Sequence, residues 1–131
     1  MARACAAHGW GYLVQGDYKP GDICSMEGHV WMSLGRCMDG SVLLVHASPP
    51  GVRICGTYLN DGTKSEAVKL AEQVMQRQYP AWYSRYPECG VGYFYLEDSV
   101  GMRWYTDEET DPYHLQGMQA EDVVHFLYPD M

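Results

Sequence analysis

Two histidines, His29 and His46, stand in segments that read as neighbouring strands. Side chains alternate faces along a strand, so His29, Trp31 and Ser33 share one face. If the third strand runs back antiparallel through a two-residue Asp39-Gly40 turn, Ser33 opposes His46. If Arg36 to Asp39 form a four-residue loop, His29 opposes His46. Directly paired residues share a face, so both registers put the histidines on the same side, and the second puts them in contact. One histidine oriented by another is half of a nucleophilic machine: the first ring takes a proton from a thiol or hydroxyl, and the second fixes its orientation. His29 fits the base and His46 the orienter. Two histidines bonded only to backbone in a small sheet is the alternative without chemistry. The same logic across Ser25 to Gly28 sets Cys24 opposite His29. Cys24, His29 and His46 together offer three ligands of the type zinc uses.

The elements that must hold this pair are legible from turn chemistry. Asp17 to Gly21 is a turn, Ile23 to Ser25 a strand, Met26-Glu27-Gly28 a turn and His29 to Leu34 a second strand. Val42 to Ala47 is a third strand, Pro49-Pro50-Gly51 a turn, and Val52 to Leu59 a fourth strand. Residues 2 to 8 are alanine-rich and predict a short helix ending at Gly9. After Asn60-Asp61-Gly62, a capping box with Thr63 at the cap and Glu66 three residues on predicts a helix over residues 64 to 78, stopped by Pro80. Tyr79, Trp82, Tyr83 and Tyr86 predict a further helical turn or two whose aromatics pack on the sheet. Tyr93 to Leu96 and Met102 to Tyr105 are candidate extra strands. Ala120, Val123, Val124 and Leu127 mark a final short helix. The expected fold is α+β: a small antiparallel sheet with helices packed on it.

Pro20-Gly21-Asp22-Ile23, Gly28-His29-Val30, Leu34-Gly35 and Val45-His46-Ala47-Ser48 resemble, in order and spacing, the second half of an NlpC/P60 domain. That family comprises papain-like cysteine peptidases that cleave bacterial cell-wall peptides. The resemblance covers residues 19 to 58. It implies a papain-like half-barrel, His29 as catalytic base and His46 as its partner. Trp31, standing where the family prefers glycine, and Ser48 are the substrate-contact positions it suggests. It implies no cofactor and no metal. In the family the nucleophile is a cysteine in an Asp-Cys-Ser-Gly-like motif at a helix start, tens of residues before the Pro-Gly-Asp strand. Only 19 residues precede Pro20 here, and none forms that motif. Cys5 is the cysteine in a predicted helix and is the alternative nucleophile. The expectation is therefore a truncated domain with a base and an orienter, inactive alone or completed by a partner chain. An active Cys5 peptidase and a non-catalytic assembly module, dimerising through a sheet face left bare, are the alternatives.

Composition limits the rest. The chain has 131 residues, 47% of them hydrophobic, which suits one domain, with residues 19 to 59 as sheet core and 60 to 131 as an extension of helices and extra strands. A formal charge of -8 and a pI near 4.9 disfavour nucleic acid and anionic membrane surfaces as partners; the partner that the family resemblance implies is a cell-wall peptide. No apolar run is long enough to span a bilayer. Residues 1 to 9 have one basic residue and no signal-peptide core, although the family is usually extracytoplasmic. The five cysteines contain no Cys-x-x-Cys pair and read as buried thiols. The acidic run Asp107 to Asp111 lacks the alternation and glycine of a calcium loop.

Overall fold

A computed structural model of the chain describes residues 1–131, and the meander expected around the histidines lies at its centre. Strands β1 (Gly11–Val14), β2 (Ile23–Met26), β3 (His29–Arg36), β4 (Val42–Ser48), β5 (Gly51–Thr57), β6 (Gly90–Val91) and β7 (Val100–Trp104) form one sheet, in the order β1-β7-β2-β3-β4-β5-β6. All pairings are antiparallel except β5 with β6. Helices α1 (Ala2–Ala7), α2 (Glu66–Gln78), α3 (Pro80–Arg85), α4 (Phe94–Asp98) and α5 (Ala120–Leu127) complete a mixed α+β domain. No helix is long and apolar enough to cross a membrane.

The segment after residue 60 is woven into the sheet. Strand β7 lies between β1 and β2, and β6 extends the far edge. A buried ion pair anchors β7: Arg103 meets Asp22 of the Pro-Gly-Asp turn at 2.8 Å, with Asp22 wholly buried. Asp22 also accepts from the backbone N–H of Lys19 at 2.8 Å, closing the turn that launches β2.

The helix α2 starts later than its sequence suggested. Ser65, not Thr63, is the cap, and its Oγ accepts from Val68 N–H at 3.1 Å. Thr63 bonds instead to Asp61. Ala67, Val68, Ala71, Val74 and Met75 then form the buried stripe that lies on β5. Gly56 permits that approach, since a Cβ there would stand 2.2 Å from the Ala67 carbonyl carbon. Pro80 opens α3 at its first turn, where its missing N–H costs nothing.

The expected strand over Tyr93 to Leu96 is the helix α4. Aromatic residues favour strands only where a pleated surface receives them. A strand would send Tyr95 and Leu96 to opposite faces, whereas the helical turn lets both pack on the apolar cluster around Trp31. A second cluster, on the other face, joins Leu43 and Ile54 to α2 and α5. Both faces of the sheet are therefore covered at their centre.

Candidate functional site

The site depends on one irregularity. From the loop end, Arg36 pairs with Val42 and Gly35 with Leu43, but Ser33 pairs with Leu44, so Leu34 is an extra residue in β3. Without that bulge His46 would oppose Met32 and face away from His29. With it, His46 opposes Trp31 and shares the face of His29. Neither register expected from turn lengths occurs: the loop pairs Arg36 with Val42, which neither expected turn does, and the bulge then shifts the pairing by one further residue. Gly35 makes it possible: its φ is +116° and a Cβ would come within 2.9 Å of Ala120 N. Gly35 N–H donates to Ser33 Oγ at 3.1 Å, which uses the Ser33 hydroxyl structurally.

His29 is thus diagonal to His46, a spacing that long side chains span. The rings meet edge to face, with centroids 5.1 Å apart, and His29 Nε2 lies 3.0 Å from His46 Nδ1. His29 begins β3 directly after a two-residue Glu27-Gly28 turn and is half-buried. His46 is only 6% exposed. Its other nitrogen, Nε2, faces Cys55 Sγ at 3.6 Å. Tyr95 from α4 leans on both rings, its hydroxyl 3.4 Å from His46 Nδ1. The result is a line from Cys55 through His46 to His29. It is closed at Cys55, which is 1% exposed, and open at His29.

Electrostatics follow burial. Burial first, then the charges of His29 and Arg53, hold the His46 pKa down to about 4, so its ring is neutral at physiological pH. Burial likewise pushes the Cys55 thiol up to about 12. Cys55 touches a histidine, yet a neutral thiol at the blind end of the line is no nucleophile. Cys24 opposes Trp31 rather than His29, because the β2–β3 turn has two residues and not four. It is fully buried, and burial raises its thiol pKa.

The remaining predicted positions separate. Cys5 packs in α1 against Met102 and Ile23. Those residues pair with each other on the sheet face opposite to Cys24, Trp31 and His29. The sheet therefore stands between Cys5 and His29. Trp31 is 1% exposed and cannot wall an open cleft. It is the floor of the site, edge-on to Tyr18 at 5.3 Å, with Tyr95 tilted above it at 5.9 Å. Ser48 is half-buried at the end of β4, two residues beyond His46 on the same face. No group of three or more His, Cys, Asp or Glu side chains has the arrangement to hold a metal ion, so Cys24, His29 and His46 do not converge.

Sequence reasoning missed Cys55, Arg53, Tyr95 and Ser99. The first two were within reach. A two-residue Pro49-Pro50 turn pairs Ser48 with Gly51, which sets Arg53 opposite His46. Tyr95 and Ser99 carried no local signal. Ser99 ends α4 and is buried, its Oγ accepting from Trp31 Nε1 at 2.9 Å and its carbonyl from the Tyr18 hydroxyl at 2.8 Å. Those bonds pin α4 and so hold Tyr95 over the histidines. No protein-family model matches the chain, and no curated protein or solved structure shows significant similarity to it.

Proposed function

We propose that this chain carries the general-base half of a papain-like cysteine peptidase of the NlpC/P60 type. It acts on bacterial cell-wall peptides with a cysteine supplied by polypeptide outside these 131 residues. One observation carries the reading: His29 Nε2 is held 3.0 Å from a buried, neutral histidine, while its Nδ1 has no protein partner. A thiol brought to that nitrogen gives its proton to His29, and the thiolate attacks the scissile carbonyl. The imidazolium then returns the proton to the leaving amine, and water releases the acyl group with His29 again as base. His46 keeps the ring oriented throughout.

The test compares the isolated chain with the same chain purified beside the polypeptide that precedes or accompanies it in the cell. Cell-wall peptides are cleaved by the complete assembly, iodoacetamide stops the reaction, and His29→Ala lowers kcat by at least about a thousandfold. The isolated chain shows no turnover. Turnover by the isolated chain that Cys5→Ala abolishes overturns the proposal.

A further inference from the structure

Arg53 stands directly across the β4–β5 ladder from His46, so it shares the face of the two histidines. It is half-buried, and its Nε is fully buried with no hydrogen-bond partner. The molecule has four ion pairs, made by Arg36, Lys64, Arg103 and His114, and Arg53 belongs to none of them. In a chain of net charge -8 carboxylates are plentiful, yet none meets it. The nearby Glu88 is engaged by the Tyr58 hydroxyl and by Gly90 N–H. A guanidinium N–H buried without a partner is costly to keep, and such a group marks a place where a partner is expected.

Arg53 is reached from an open sheet edge. Strand β6 pairs only with Gly56 and Thr57, so the Gly51 to Cys55 part of β5 is a sheet edge. An apolar groove of about 540 Å³, bordered by Val52, Ile54, Tyr79 and Trp82, opens on the other face of that edge, the face of Val45 and Ile54, so the histidine face is approached from the edge at Arg53 and not through the groove. A planar guanidinium fork matches a carboxylate with two parallel hydrogen bonds, and no other common peptide group fits it as well.

We infer that Arg53 is a carboxylate-binding residue of this site and that the ligand is a peptide bearing a free carboxylate, anchored at Arg53 beside His29 and His46. His46, Cys55 and Tyr95 all sense the Arg53 charge: it adds to the burial that lowers His46 and works against the burial that raises Cys55 and Tyr95, which places the cation within reach of the pair. The inference rests on the peptidase reading only in calling that peptide a substrate.

The test is binding, not turnover, so it is decided separately from the peptidase reading. The 15N-labelled chain is titrated with Ala-Ala-Ala as free acid and as amide, and with Ala-Glu-Ala-amide and Ala-Gln-Ala-amide. The first pair reports a terminal carboxylate and the second a side-chain carboxylate. In at least one pair the acid binds about tenfold or more tightly and shifts the Arg53 Nε and His46 signals. Arg53→Gln abolishes that preference while leaving the fold intact by amide spectrum, and Arg53→Lys keeps part of it. Equal affinity of acid and amide in both pairs, an unchanged preference in Arg53→Gln, or no binding by any of the four peptides overturns the inference.

Discussion

The Nε2 of His46 lies 3.6 Å from the Sγ of Cys55, and this contact sets which nitrogen of His29 is free to work. A neutral imidazole carries one proton. For His29 to accept a proton at Nδ1, its own must sit on Nε2 and donate to His46 Nδ1. His46 must then carry its proton on Nε2, pointing at the sulfur of Cys55. The thiol, itself held protonated by burial, serves as acceptor. Cys55→Ala removes that acceptor and Cys55→Ser keeps one. The 15N spectrum of the wild type shows His46 protonated at Nε2. Cys55→Ala gives a mixture of tautomers, and Cys55→Ser restores the wild-type signal. A wild-type His46 protonated at Nδ1 refutes this assignment.

Stability should follow pH through His46. Its folded pKa of about 4 lies below the ordinary 6.5, so between these values the unfolded chain binds more protons. Its contribution is complete above pH 6.5 and is lost as the pH falls through 4. A displacement of this size corresponds to about 3 kcal/mol. Denaturant unfolding of the wild type therefore weakens from pH 6.5 to pH 4, and His46→Gln flattens that part of the profile. An unchanged slope in His46→Gln contradicts the assignment.

The sequence showed the four-strand meander, the final helix and the shared face of the two histidines, because turn residues and period-2 patterning are local signals. It did not show how the pair comes into contact. That depends on the bulge at Leu34, which in turn depends on Gly35 lying against α5, more than eighty residues away in the chain. Tyr95 was misplaced for a related reason: Tyr93 to Leu96 has the composition of a strand, and only the cluster around Trp31 makes a helix the better fit. Asp22 was visible as part of a motif, but its partner Arg103 was not, because a buried ion pair leaves no spacing rule.

That ion pair yields the third prediction. Asp22 is wholly buried and receives two guanidinium contacts, from Arg103 Nε at 3.1 Å and Nη2 at 2.8 Å. Asp22→Asn leaves a buried guanidinium without its counter-charge, and breaking such a pair costs about 3–5 kcal/mol. Thermal unfolding of Asp22→Asn shows this loss. Asp22→Leu combined with Arg103→Met removes both charges and recovers a good part of it. If the single variant is as stable as the wild type, Asp22 does not anchor β7.

Ser99 provides the last test, because it separates holding α4 from making the site. Its Oγ is the acceptor for Trp31 Nε1, and both groups are buried. Ser99→Ala orphans that indole N–H at a cost of about 1–3 kcal/mol. The loss is structural, but its consequence reaches the histidines: with the Tyr18 hydroxyl on the Ser99 carbonyl as the remaining hydrogen bond at that end of α4, the seat of Tyr95 on the two rings loosens. Tyr95→Phe removes the hydroxyl near His46 and keeps the ring. The two variants should therefore part company in the ring-current shifts of the His29 and His46 protons. Ser99→Ala moves and broadens them, while Tyr95→Phe leaves them close to wild type. If both variants give the same spectrum, the hydroxyl rather than the seating of the ring is what the site needs from α4.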